Sequence, residues 1–184
     1  MKEIGETHRL KQVWFNFPKK EETDEYSVGE GNELTSLLLE IDGLSWNNNT
    51  SELLGSTIEF GDIKLHVLAP DHDVAYENKP KEPDELGVRS DDWYIDLRTL
   101  IDNVDDDDID EGGTNSQSII ILAECEGKKL LLPGDSTPKK LCDALQSYNK
   151  TNGTPLELDF MKLPHHGSTR NVTKNILNEV TCSN

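Results

Sequence analysis

Long apolar runs are missing from this 184-residue chain. None approaches the ~20 residues that a membrane-crossing helix requires, so the sequence offers no span, and its N-terminal stretch does not read as a secretory signal. Cysteine is scarce: Cys125, Cys142 and Cys182 are odd in number, widely spaced and without a C-x-x-C. Reduced thiols in a cytoplasmic protein are the expectation. Basic residues are few, 18 Lys and Arg against 36 Asp and Glu, a formal charge of -18. Such a field repels polyanions, which argues against nonspecific, counterion-release binding of DNA or RNA on this surface. It leaves room for a site in which bound cations reverse the local sign.

The negative charge is concentrated. Between Asn78 and Gly113 thirteen Asp and Glu face four Lys and Arg, a difference of nine negative charges. With Pro80, Pro83 and no hydrophobic period, residues 77–113 read as an acidic insert with a solvated face, enclosing at most a short helix over Trp93–Ile101. Asp105–Asp108 lacks the spaced oxygens, central glycine and terminal glutamate of an EF-hand loop.

Hydrophobic residues make up 34% of the chain and mean hydropathy is -0.64. The apolar content gathers in Ser56–Pro70 and Ser118–Pro133, enough for one domain with a core. Gln12–Pro18 alternates like a strand that needs a distant partner. Glu33–Asp42 is expected to be a helix with Leu34, Leu37, Leu38 and Ile41 on one face, ended by Gly43. Asn47–Ser51 reads as a turn-rich surface loop. Ser56–Phe60 and Ile63–Leu68 form a hairpin around Gly61-Asp62, with Ile63, Leu65 and Val67 on one face and Lys64 and His66 on the other. His66 is read as a surface or edge side chain and His72 as a loop residue.

Ser118–Ala123 and Lys129–Leu132 are apolar without alternation, the mark of strands covered on both faces. Thr137-Pro138 starts a helix with a cap and a first-turn proline, burying Leu141, Ala144 and Leu145. Leu156–Leu163 is expected as one alternating strand, and Thr173–Val180 as a last helix burying Val172, Ile176, Leu177 and Val180.

Two of these strands end abruptly at groups able to hold a metal. Leu130-Leu131-Leu132-Pro133-Gly134 delivers the carboxylate Asp135. The strand that stops at Pro164, which cannot donate to a sheet ladder, delivers His165 and His166, followed by Gly167-Ser168-Thr169. Carboxylate and imidazole at neighbouring strand ends are the material of a Zn²⁺ or Mn²⁺ hydrolase site. Ser168 and Thr169 are the hydroxyls placed to bond substrate oxygens or to orient the histidines.

The order Asn115-Ser116 before an apolar strand, then Leu-Leu-Pro-Gly-Asp, then Lys-Leu-Pro-His-His-Gly-Ser resembles the metallo-β-lactamase-fold hydrolases, and within them the hydrolase domain of ComEC-type competence proteins. The resemblance runs from about Val13 to the C-terminus. It implies an α/β (α+β) fold, a partial αββα sandwich, and a two-metal centre (Zn or Mn) in the complete domain. Carried over by position, Asp135 is the bridging metal ligand and a catalytic residue, His166 a metal ligand, and His165 the group that contacts substrate or protonates a leaving group. Which histidine is the ligand stays open.

The family's H-x-H-x-D-H motif, source of most metal ligands, is not present: the histidines are His8, His66, His72, His165 and His166. A four-coordinate zinc site takes at least three protein ligands, so residues 1–184 alone are expected to bind metal weakly or not at all. The expectation is a single incomplete domain, part of a metal-dependent hydrolase acting on a small-molecule or phosphodiester substrate. Its partner would be the missing N-terminal part or a second copy. The alternatives are a catalytically inactive interaction or scaffold module, and one half of a split hydrolase.

Overall fold

Strands β5 (Ile120–Cys125) and β6 (Lys128–Leu132) form the hairpin around which the sheet is assembled. The computed structural model describes residues 11–14, 33–34, 36–47, 50–71, 109–112 and 115–182. His8, His72, Phe15, Phe17, Trp93–Ile101 and Asp105–Asp108 lie outside them, as does the insert except for 109–112.

Three sheets are present among the described residues, and the largest has five strands in the order β3-β4-β5-β6-β8. Strands β3 (Thr57–Phe60) and β4 (Ile63–Ala69) are the expected hairpin, with Phe60 opposite Ile63 across Gly61-Asp62. Pairing is antiparallel through β6, and β8 (Phe160–Met161) joins parallel to β6. A parallel neighbour needs a crossover, supplied by helix α1 (Pro138–Asn152). Outside this sheet, β1 (Gln12–Trp14) pairs in parallel with β2 (Ser45–Asn47), which is the distant partner its isolation required. Strand β7 (Leu156–Leu158) pairs in parallel with β9 (Val180–Cys182). The coarse class is thus mixed α/β.

Helix α1 packs its stripe of Leu141, Ala144 and Leu145 against Ala69, Ile120, Leu122 and Leu131, with Leu156, Leu158 and Ile176 closing the cluster. A register shift between Val67 and Ala69 lets Ala69 align with Ile120 on this face; one extra residue reverses the alternation. The helix covers only part of the face. The row beyond it holds Glu59, Lys64, Glu124 and Lys129, with Lys64 4.0 Å from Glu59 and Lys129 3.4 Å from Glu124.

The opposite face is apolar except for Lys128, which lies across from Cys125. Register aligns Ile58, Leu65, Ala123, Leu130 and Phe160 in one row and Phe60, Ile63 and Cys125 in the next, and directly opposed residues share a face. Phe60, Ile63 and Phe160 are 51%, 42% and 54% exposed. The unbroken apolar run in β5 therefore does not mean equal cover on both faces: Ile120 and Leu122 are sealed, while Ile121 and Ala123 are half-buried.

Several elements depart from expectation. The helix near residue 33 is helical only to residue 39, where turn residues take over before Gly43 at φ 72°. Leu38 is buried, Leu34, Leu37 and Ile41 half-buried. Asn47 belongs to a strand and Thr50–Leu53 to a 3-10 turn, so the stretch read as loop is ordered at both ends. His66 sits half-buried on an interior strand, not at an edge, its Nδ1 2.9 Å from the Thr57 hydroxyl and its Nε2 3.5 Å from Glu124.

Thr137 occupies the cap position of α1 without a capping side-chain bond, while Gly153 ends the helix in the left-handed conformation, its N–H donating to the Asn149 carbonyl at 2.7 Å. Leu156–Leu163 is two strands, not one. At Asp159 the side chain accepts from the Lys129 N–H at 3.0 Å and from Lys128 at 2.8 Å, and this anchored kink breaks the alternation. Leu158 is consequently buried and Phe160 exposed. The last helix, α2, is confined to Lys174–Asn178, with Ile176 buried and Leu177 47% exposed; Val180 opens a strand.

Cys125, Cys142 and Cys182 are free thiols. Among the described residues no helix is long and apolar enough to cross a membrane.

Candidate functional site

Parallel strands β6 and β8 run in the same direction, so the loops that follow them leave the sheet at the same end. After β6 the chain turns at Gly134, φ 61°. A Cβ there would stand 3.2 Å from the Ser118 Cβ and 3.5 Å from the Ile119 carbonyl oxygen, so both the conformation and the space call for glycine. The Asp135 N–H then donates to the Ser118 hydroxyl at 3.2 Å.

After β8, Pro164 precedes three residues of positive φ: His165 (43°), His166 (55°) and Gly167 (84°). For a residue with a Cβ this region costs roughly 1–2 kcal/mol. Two adjacent histidines held there require outside support, and such strain concentrates at functional sites. Part of the support is a bond between the loops, from the His165 N–H to the Gly134 carbonyl at 3.2 Å. Another is the Ser168 N–H, which donates to the His165 carbonyl at 3.0 Å.

The two loops place the predicted pair together. His166 Nε2 lies 3.8 Å from Asp135 Oδ2, with side chains 81% and 41% exposed. The His165 and His166 rings are edge to face with centroids 6.2 Å apart. His165 sets its Nδ1 in a separate polar cluster, 3.1 Å from Asn171 Oδ1, 3.4 Å from Asn115 Nδ2 and 3.5 Å from Asp110 Oδ2. Ser168 is half-buried, its hydroxyl accepting from the Arg170 N–H at 3.3 Å, and Thr169 is exposed. Lys162 donates to the Leu163 carbonyl at 3.2 Å.

Asp110 and Asn171 were not legible as site residues. Asp110 is 8% exposed and Asn171 fully buried, although Asp110 falls in the stretch read as a solvated acidic insert. Burial alone would raise the Asp110 carboxyl, but hydrogen bonds from Asn115, Asn171 and the Gly112 amide outweigh it. Together with the nearby His165 they hold it below the ordinary carboxylate range. The available signal was its position: Asp110 stands directly ahead of Gly112-Gly113 and Asn115-Ser116. A Cβ at residue 112 would meet Asp110 Oδ1 at 2.9 Å, so the glycine makes room for the carboxylate.

Asp135 and His166 offer one oxygen and one nitrogen donor. Among the described residues no group of three or more His, Cys, Asp or Glu is arranged to hold a metal ion. The pair fits as two ligands of a metal centre and does not make up a centre by itself. No protein-family model, no curated protein and no solved structure matches this chain.

Proposed function

We propose that this chain is part of a metal-dependent hydrolase of the metallo-β-lactamase type, acting on phosphodiester bonds. The observation that carries the reading is the Asp135–His166 pair, 3.8 Å apart on a strained double-histidine turn that closes onto the Asp135 loop. Asp135 and His166 hold metal, with the remaining ligands supplied by H-x-H-x-D-H residues outside these 184. A bound divalent ion there would acidify a water and polarise the scissile group. His165 faces the substrate beside that pair and exchanges a proton with the leaving group. The five-stranded sheet is one half of an αββα sandwich, and the face bearing Phe60, Ile63 and Phe160 packs on the other half.

The test uses a longer chain that carries the upstream motif. It should contain bound Zn or Mn and hydrolyse bis-p-nitrophenyl phosphate, and Asp135→Ala should abolish turnover. Unchanged turnover in that variant would eliminate the assigned site.

The same exposed face favours a second reading, an inactive interaction module that associates through its sheet. Sedimentation over a range of concentrations separates the two. Association of the 184-residue chain that persists in a longer, metal-free and inactive chain supports the module; a monomeric, metal-loaded longer chain removes it.

A further inference from the structure

Nothing in the motif pattern assigns a role to the buried amide of Asn171, yet its surroundings settle which way it faces. Its Nδ2 donates to Asp110 Oδ2 at 2.9 Å and to the Ser136 carbonyl at 3.2 Å. Both partners are oxygens that only accept. Rotating the amide by half a turn would press Oδ1 against a carboxylate and a carbonyl in a place that is 0% exposed, so the orientation follows from the network. Oδ1 is then the atom facing His165 Nδ1 at 3.1 Å. An amide oxygen accepts only, so Nδ1 has to carry the proton. Asp110 Oδ2, 3.5 Å from the same nitrogen, is a second acceptor. Among the described residues the opposing group is Asn115 Nδ2 at 3.4 Å, farther than the Asn171 oxygen, and one of its two N–H groups is taken by Asp110 at 2.8 Å.

We infer that Asp110 and Asn171 are positioning residues that hold His165 as its Nδ1–H tautomer, making Nε2 the ring atom that His165 offers for chemistry. Asp110 acts at one remove. Accepting from Gly112 N–H at 2.8 Å and from the Asn115 and Asn171 amides, it locks the Asn171 amide, and the locked amide orients the imidazole. A hydrogen bond at one imidazole nitrogen determines which atom the other presents. In the neutral ring the Nε2 lone pair is then the proton acceptor, and Nε2–H of the cation the proton donor. That this atom meets a substrate rests on the hydrolase reading; the tautomer does not.

Long-range ¹H–¹⁵N correlation spectra of the ¹⁵N-labelled 184-residue chain test the inference, recorded at about pH 8.5, well above the ordinary histidine range near 6.5. The His165 ring is identified by the signals lost in His165→Gln. The expected wild-type pattern is a protonated Nδ1 and an unprotonated Nε2; a protonated Nε2 overturns the assignment. Asp110→Asn, which turns an acceptor of three donors into a mixed group, should move the ring toward the Nε2–H form. Retention of the wild-type pattern in that variant removes Asp110 from the role. Because Asp110→Asn endangers folding, the wild-type spectrum decides the tautomer alone. The readout needs no turnover: absent hydrolysis counts against the hydrolase reading only, and an Nε2–H ring against this inference only.

Discussion

His166 Nε2 and Asp135 Oδ2 stand 3.8 Å apart although the whole of α1 separates them in sequence. The parallel register Leu130↔Phe160 and Leu131↔Met161 brings their loops to one end of the sheet. The bond from the His165 N–H to the Gly134 carbonyl then fixes one loop against the other.

Two donors do not hold a divalent ion tightly against water. Calorimetric titration of residues 1–184 with Zn²⁺ or Mn²⁺ should show no submicromolar binding, and Asp135→Ala should weaken what there is. Submicromolar binding at two sites would mean that further ligands lie within the chain.

The left-handed backbone at His166 is a stability cost that its exposed side chain does little to offset. His166→Gly should therefore stabilise the chain by about 0.5–1 kcal/mol in a denaturant titration, relief of ~1–2 kcal/mol of strain being partly cancelled by glycine's larger unfolded-state entropy. Metal binding should be lost in the same variant. A destabilised His166→Gly would show that the turn is not strained.

Gly134→Ala meets both a left-handed φ and the Ser118 side chain. It should cost about 1–2 kcal/mol. By displacing the N–H that Asp135 donates to Ser118, it should also impair metal binding by the longer chain, which metal analysis would read.

Asp110 sets a pH dependence. Its folded carboxyl lies below the ordinary range, so between the folded and unfolded values the unfolded chain binds more protons and stability rises with pH. The contribution is complete above about pH 4, near the unfolded value of ~3.9, and is lost as pH falls through the folded one. Stability of wild type minus that of Asp110→Asn should shrink below about pH 4. A difference independent of pH in that window contradicts the assignment.

In the longer chain, His165→Gln should lower kcat on bis-p-nitrophenyl phosphate by about 10²–10⁴-fold, the usual worth of a positioned acid–base group. Steady-state kinetics that leave kcat unchanged would remove His165 from proton transfer.

What could be read from residues alone was local. The hairpin at Gly61-Asp62, the Leu141–Ala144–Leu145 stripe, and the strand ends at Gly134 and Pro164 rest on short-range sterics and on a hydrophobic period of two or 3.6 residues, whereas Asn149–Asn152, which reads as a turn, is the last turn of the helix. The kink at Asp159 was hidden because it arises from bonds to Lys128 and Lys129 on another strand. The displaced end of the last helix was hidden for a related reason, since Val180 pairs with Leu156.

For the site, composition and spacing along the chain determined that a carboxylate and two imidazoles follow strands that end at Gly134 and Pro164. Tertiary structure alone decided how they divide: His166 toward Asp135, His165 toward Asp110 and Asn171. Asp110 shows why. One acidic residue among many is solvated by default, and what separates Asp110 from the exposed Glu111 beside it is burial next to three donors contributed by Gly112, Asn115 and Asn171. Such burial is a property of chain segments meeting in space, which no local pattern encodes.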